Sequence, residues 1–432
     1  MANLLRVLYF LGSAMRRPYW DSVKLGRFQE KRLRSVVDYA YRNVAFYHEK
    51  FREAGVKPSD ICGLDDLKKL PIVRKSELRN VDPRKLVSLE YDIGKLKDVR
   101  TSGSTGQPFA VYLNKVENDW RKAIYMRANI SCGQKPRDKW VVVTAPHHFA
   151  DTTGIQRRIG IYAQNCVSIF DGVDKQIEAI SKLQPDILDG YSGALLLIAK
   201  ELDRRRLRLI KPRIVFGSAD LMDDVSCRFM EEVFGAPYYD QFGCAEIDRS
   251  AWQCPEKVGY HMDVDSVITE FVDEDGDKVS AGERGEVVYS SLFNYAMPFI
   301  RYAVGDVGVP SDEECPCSRK FPLMKVVEGR RDSLVVLPDS RLLSPRVFTN
   351  AMSRFFEKIV QYRVVQKRVD LFEVFVQLRE SVDKDVFEKG LVEHVRRVLD
   401  FGDDIAVVVK FVDEVPLSKT GKLTAVVSEL KV

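Results

Sequence analysis

Arg100-Thr101-Ser102-Gly103-Ser104-Thr105-Gly106-Gln107-Pro108 is the stretch on which the reading of this chain turns. Four hydroxyl side chains and two glycines fall within Thr101–Gly106, directly after the strand-like run Leu96-Lys97-Asp98-Val99-Arg100. Glycine permits positive φ and close backbone approach, so N–H groups and hydroxyls there can form a concave nest for phosphate oxygens. The Walker pattern is absent, since no Gly-Lys-Ser/Thr follows at the required spacing. Standing alone, such a run reads first as a solvated Ser/Thr/Gly turn. The motifs that follow it in order change that.

Around this stretch the chain is ordinary in composition. Its 432 residues suggest two to three domains with ample length for a large core. Hydrophobic content of 45% and charged content of 30% describe a soluble globular protein. A net charge of +4, from 67 Lys and Arg against 63 Asp and Glu, gives no case for nucleic acid or an anionic membrane as partner. The apolar segment Leu4–Met15 is interrupted by Arg6, is too short to span a bilayer, and is followed by Arg16 and Arg17. It reads as an amphipathic helix that packs on the body, with rest on a membrane surface as the other reading, and no transmembrane segment is expected. Eight cysteines are too few for a disulfide-built scaffold, and a cytoplasmic location is expected. Cys62, Cys132, Cys166 and Cys227 sit in apolar or helical contexts and read as small packed hydrophobes.

Periodicity gives the organisation. Phe28, Leu33, Val36, Val37, Tyr39 and Ala40 recur at helical spacing, predicting helix over 22–56. The runs Val141–Thr144, Ile187–Asp189, Ile214–Phe216 and Val287–Tyr289 read as buried strands. Helices are predicted at 117–130, 174–183, 193–207 and 223–234. Such alternation predicts α/β layers with a substantially parallel sheet. A large domain is placed at 1–329 and a compact α+β unit at 330–432, an ordinary domain size. Within the latter the pattern predicts a strand over 333–337, a helix over 345–357, strands over 359–367 and 370–379, a helix over 384–400 and a strand over 406–411.

Three further motifs carry chemistry. Tyr239-Asp240-Gln241-Phe242-Gly243-Cys244-Ala245-Glu246 displays a carboxylate beyond a Gly turn, where Glu246 can hold Mg²⁺, a cation that favours oxygen ligands. Its bland alternative is a solvated loop glutamate. Phe299-Ile300-Arg301-Tyr302-Ala303-Val304-Gly305-Asp306 places an acid that can accept ribose hydroxyls or simply cap a turn. Pro416-Leu417-Ser418-Lys419-Thr420-Gly421-Lys422 is a loop whose lysines offer positive charge to a breaking phosphoryl bond, or ordinary surface charge.

In this order and spacing the motifs resemble the adenylate-forming superfamily of acyl-CoA synthetases. Within it the chain looks most like the phenylacetate–CoA ligase-like branch, with its CapK-type proteins and coenzyme F390 synthetases. The resemblance runs from about residue 20 to the C-terminal lysine loop. It implies a layered α/β large domain and a small mobile α+β C-terminal domain. It implies ATP, Mg²⁺ and coenzyme A, with a small-molecule carboxylate as substrate. Carried over by residue, Thr101, Ser102, Gly103, Ser104, Thr105 and Gly106 would form the ATP phosphate loop. The segment Gly217-Ser218-Ala219-Asp220 would line the adenine. Tyr239, Phe242 and Gly243 would wall the junction of nucleotide and acyl group, with Glu246 on magnesium. Asp306 and Arg330 would bind ribose, Asp332 would be the hinge, and Lys422 the catalytic lysine of adenylation.

The implied activity is activation of an aryl or small acid as acyl-adenylate, then transfer to coenzyme A with release of AMP and pyrophosphate. An adenylyltransferase acting on a hydroxyl, as in F390 synthetases, and a non-catalytic nucleotide-binding scaffold are the alternatives. Gln107 stands where many members carry Lys, Ala219-Asp220 where these ligases usually show Glu-Pro, and Pro146-His147-His148-Phe149-Ala150 where they use a Gly-rich aromatic segment. Those departures leave ATP use intact and turn the expectation away from phenylacetate itself. Oligomeric state is open, with a dimer compatible.

Cys254-x6-His261 and Cys315-Pro316-Cys317 supply three thiols and an imidazole, the ligand count of a tetrahedral Cys₃His zinc site. They meet if the intervening β-rich stretch folds back on itself. A redox pair at Cys315 and Cys317, or separate surface thiols, are the alternatives. Some members of the branch carry zinc at a comparable place, so the resemblance adds structural Zn²⁺ to the expected cofactors.

Overall fold

The computed structural model describes residues 3–100, 109–149, 152, 154–415 and 422–430. Its contacts divide into two compact units. The first comprises Met1–Pro136, Asp151–Ile161 and Tyr239–Val327, and the second Arg137–Ala150, Tyr162–Tyr238 and Glu328–Val432.

In the first unit, helix Leu4–Ala14 buries Val7, Leu11 and Ala14 and leaves Leu5 and Tyr9 exposed. Arg6 Nε donates to Asp119 Oδ2 at 2.7 Å, tying this helix to helix Lys115–Ser131. Among the described residues no helix is long and apolar enough to cross a membrane. The expected helix over 22–56 is two, Ser22–Asn43 and Ala45–Glu53, because Val44 takes an extended conformation with φ −122° and ψ 109°.

Antiparallel strands dominate the rest of this unit. Gly285–Ser291 pairs antiparallel with both Val267–Val272 and Tyr302–Ser311. The run Val287–Tyr289 is therefore a buried strand, as expected, with antiparallel neighbours on both sides. Apolar content marks burial on both faces and is silent on strand direction. Arg127 sits fully buried with its Nη1 2.8 Å from Asp265 Oδ2 and with Asp263 on Nη2. Trp252 Nε1 also donates to Asp263 Oδ1, at 3.0 Å, adding a neutral donor to the buried cluster.

The second unit opens with a parallel sheet in the order Ile214–Ser218, Ile187–Tyr191, Trp140–Thr144, Gln164–Ser168. Helices Val173–Leu183, Ser192–Arg204 and Asp224–Phe234 connect or follow these strands. Every residue of Ile187–Tyr191 is buried, as a parallel strand covered on both faces requires. Gly217 is fixed by packing: a Cβ there would stand 2.0 Å from Tyr238 Oη. That phenol shares a 2.8 Å hydrogen bond with Ser192 Oγ, which also donates to the Ser218 carbonyl at 3.1 Å. The bare glycine thus lets one tyrosine join a strand end to a helix start. Gly217→Ala is expected to cost about 1–3 kcal/mol by overpacking, read as a lower urea midpoint with unchanged slope.

Residues 328–432 build a sheet in the order Ala406–Phe411, Leu371–Leu378, Ile359–Arg368, Val426–Ser428. Helices Pro345–Ser353 and Lys384–Leu399 cover it, burying Phe348, Met352, Phe387, Leu391 and Val395 against Val364, Phe372 and Val374. The predicted strand over 333–337 is shorter, Val335–Val336 pairing with Leu342–Leu343. Helix Ser192–Arg204 reaches this part through Lys200, whose Nζ donates to the carbonyls of Ile359 at 2.9 Å and Val360 at 3.0 Å. The ammonium lies 4.3 Å from the Phe356 ring centroid, and burial pulls its pKa down to about 8.

Candidate functional site

Strand Tyr238–Cys244 carries three of the residues read as walling a nucleotide site. Tyr239 is buried, Phe242 half-buried and Gly243 exposed. A β-bulge falls between Phe242 and Gly243, and a Cβ on Gly243 would lie 2.1 Å from the Asp248 carbonyl oxygen. Only glycine admits that approach, which turns the chain toward Glu246.

Glu246 is 2% exposed and does not stand as a loose loop acid. Lys75 Nζ sits 2.9 Å from its Oε1, and the Tyr302 hydroxyl donates to the same oxygen at 2.8 Å. Burial alone would push this carboxyl up. The Lys75 ammonium and these hydrogen bonds outweigh it and hold the group below the ordinary glutamate value, hence ionised. The main chain is fixed from behind, where Arg121 Nη1 donates to the Ala245 carbonyl at 2.9 Å and Nη2 to that of Glu246. Asp306, half-buried after the positive-φ Gly305, is near enough that it and Glu246 both raise the Cys244 thiol, on top of its burial. The first unit therefore gathers Glu246, Asp306 and Cys244 beside Lys75 and Tyr302. Sequence reasoning missed Lys75 and Tyr302, which meet Glu246 only through folding.

A second group lies in the second unit. Ser218 ends its strand, and Ala219 follows with φ +76°, a left-handed conformation that a non-glycine residue rarely adopts. Asp220 Oδ2 accepts from the Gly193 N–H at 3.0 Å, at the first turn of helix Ser192–Arg204. The Leu423 N–H also donates to this carboxylate, and the Lys422 ammonium is near enough to favour its charged form. Lys422 lies close enough to His148 to help lower that imidazole to about 4, after burial and His147. The structure thus brings Asp220, Lys422 and His148 together. Arg330 ends strand Leu323–Arg330, and Asp332 lies in the 3₁₀ turn Arg331–Ser333 that follows. The phosphate-loop residues Thr101–Gly106 lie outside the described residues.

A third cluster returns to the first unit. Cys254 follows strand Asp248–Gln253, and His261 lies on strand Tyr260–Met262, paired antiparallel so that His261 faces Trp252. The turn beyond strand Tyr302–Ser311 brings up Cys315 and Cys317. The four ligand atoms lie within 4.8 Å of one another. Cys254 Sγ is 3.5 Å from Cys315 Sγ, and Cys317 Sγ is 3.2 Å from His261 Nε2. Edges of about 3.8 Å follow from tetrahedral geometry with 2.3 Å zinc–sulfur bonds, so little adjustment is needed. His261 Nδ1 is 3.4 Å from the Phe321 carbonyl, which would hold the tautomer that leaves Nε2 toward the thiols. Burial drops His261 to about 4, keeping the ring neutral as a metal ligand must be.

No protein-family model matches the chain. A phenylacetate-coenzyme A ligase of Thermus thermophilus is 25% identical over 384 residues, covering 86% of this chain and 85% of its own. That of Pseudomonas putida is 28% identical over 374 residues, covering 82% of each. Protein CapK of Staphylococcus aureus is 21% identical, covering 98% of this chain and 95% of its own. Among solved structures, a 2-hydroxyisobutyryl-CoA ligase in its postadenylation state superposes with a TM-score of 0.79 at 21% identity, over 94% of this chain and 90% of that one. An anthranilate CoA ligase bound to anthranoyl-AMP gives 0.60 at 16% identity, over 83% and 73%. The chain therefore has the fold of the adenylate-forming CoA ligases and is a sequence relative of the phenylacetate–CoA ligases and CapK.

Proposed function

We propose that this protein is an AMP-forming acid–CoA ligase. A substrate carboxylate oxygen attacks the α-phosphorus of ATP and expels pyrophosphate. A coenzyme A thiol then loses its proton, attacks the acyl carbon, and releases AMP. The observation that carries this reading is similarity across more than four-fifths of the chain to proteins named as ligases of that type. Lys422, near enough to Asp220 to favour that residue's charged form, supports the adenylation step.

In this scheme the large domain is 1–329 and the small one 330–432, with Asp332 as the hinge. Thr101–Gly106 cradles the phosphates, Ser218–Asp220 lies beside the adenine, and Asp306 and Arg330 take the ribose. Tyr239, Phe242 and Gly243 wall the passage to the acyl group. Lys422 offsets the charge that grows as pyrophosphate departs. Glu246 is a hard oxygen donor kept ionised by Lys75, which suits Mg²⁺, and the cation when bound neutralises phosphate charge. Lys75 would stand as the counter-ion that holds this carboxylate charged before any cation arrives. Cys254, His261, Cys315 and Cys317 would hold Zn²⁺ as a brace, since four protein ligands leave no open position. A reducing cytoplasmic location suits thiols that bind metal only as thiolates.

Carboxylate-dependent pyrophosphate release, measured across aryl, short-chain and amino acids with and without coenzyme A, tests the reading. Acid-dependent release with thiol-dependent AMP formation is expected. Release driven by an alcohol or phenol, with no thioester, would assign the adenylyltransferase alternative instead. Lys75→Met should raise the Mg²⁺ concentration needed for half-maximal pyrophosphate release several-fold, because Glu246 then protonates more readily in its buried setting. Unchanged magnesium dependence in Lys75→Met would remove Lys75 from the site.

A further inference from the structure

We propose that Asp220 is a docking residue for the C-terminal lysine. Its carboxylate fastens the chain at Leu423 to the first turn of helix Ser192–Arg204 and so positions the Lys422 ammonium. The catalytic meaning of this docking rests on the ligase reading; the docking itself stands on geometry within the second unit.

Three groups converge on one carboxylate. The Gly193 N–H donates to Oδ2 at 3.0 Å, the Leu423 N–H donates from the C-terminal segment, and the Lys422 ammonium supplies charge. The Gly193 donor belongs to a helix start, where free N–H groups and the helix dipole both favour an anion. The fit around it is tight: a Cβ on Gly193 would stand 2.9 Å from Leu423 Cβ and 3.0 Å from Asp220 Oδ2. A glycine here therefore lets the C-terminal segment lie against the helix. Beside the adenine-lining role that the resemblance implies, these contacts give Asp220 the part of a positioning residue.

The device responds to pH. Burial raises Asp220 to about 6, against the pull of Lys422 and the two N–H donors. The other titratable groups in its surroundings are Tyr191, whose own ionisation is pushed to about 12 by burial, and His148, held neutral above about 4. Neither changes charge between pH 5 and 8. Asp220 is thus ionised above about 6 and holds the lysine there. Below that pH it takes up a proton and lets go.

Lysine labelling of the full-length, nucleotide-free chain tests this without any substrate. A water-soluble succinimidyl ester is applied between pH 5 and 8, and modification of Lys422 is quantified by peptide mass spectrometry against exposed Lys95. In the wild type the Lys422-to-Lys95 rate ratio should be low at pH 7.5 and rise as pH falls through 6. Asp220→Ala should raise it about tenfold at pH 7.5, the shift expected on losing a charge-assisted hydrogen bond, and Gly193→Ala should raise it too, because the added Cβ crowds Leu423 and the Asp220 carboxylate. Asp220→Asn keeps a neutral acceptor of nearly the same shape, and should raise the ratio while abolishing its pH dependence. A flat wild-type profile, or an acid limb that persists in Asp220→Asn, overturns the proposal. Pyrophosphate release in the same preparations separates the two claims. No release with any acid sinks the ligase reading and leaves the docking intact. Normal protection of Lys422 in every variant, alongside active enzyme, sinks the docking and leaves the ligase.

Discussion

Lys422→Ala is expected to lower acyl-adenylate formation by about 10²–10³-fold, or ~3–4 kcal/mol of transition-state stabilisation. As the bond to pyrophosphate breaks, negative charge grows on oxygens that a preorganised ammonium meets without reorganisation. Alanine leaves that charge to water, which is excluded from a closed site. Thioester formation from chemically supplied acyl-adenylate should stay near the wild-type rate, since that step needs no such donor. Pyrophosphate exchange into ATP reads the first half-reaction, and coenzyme A consumption with supplied adenylate reads the second. Equal loss of both would mean that the lysine holds structure and does not serve adenylation alone. Lys422→Arg keeps the charge but spreads it over a planar fork, so only partial recovery is expected.

Cys254→Ser is expected to abolish zinc binding and lower the melting midpoint by roughly 10 °C, the effect of a few kcal/mol in a unit of this size. Cys254 is fully buried, 3.5 Å from Cys315, so a serine there would leave two thiols and an imidazole with no ion to share. Metal analysis of the purified chain should give one zinc per wild-type molecule and none in the variant. Cys62→Ser is the control, because Cys62 is exposed and lies outside the cluster. Wild-type protein without zinc, or a Cys254→Ser chain that melts with the control, would turn the cluster into a set of packed thiols.

The elements that sequence made legible are those whose signal is local. Helices Val173–Leu183, Asp224–Phe234 and Lys384–Leu399 lie within a residue or two of their predicted bounds, since period and caps sit within the segment itself. The break at Val44 was missed because helical periodicity runs on across one extended residue. Strand direction at Gly285–Ser291 was not legible for another reason: burial on both faces looks alike in parallel and antiparallel neighbours. The Cys and His cluster was readable because those ligand types are sparse in this chain. Glu246 was legible as an acid after a glycine turn. Its partners Lys75 and Tyr302 were not, because an ion pair between distant segments leaves no local trace. Asp220 was seen, but not its partners within the second unit. The resemblance assigned it to the adenine, and no local pattern announces the Gly193 and Leu423 N–H groups that its carboxylate accepts from.

One further consequence follows from Lys200. Its ammonium is satisfied by two carbonyls and an aromatic face, but has been stripped of water, which is why its proton is held less firmly than usual. Should the C-terminal segment swing away, that nitrogen would be rehydrated and return toward its ordinary basicity. At neutral pH the seated lysine is thus held charged against its own desolvation, a cost that separation would relieve. Alkaline solution, above about pH 8, would let the amine shed its proton in place. By linkage the seated arrangement should then gain stability as pH rises above about 8.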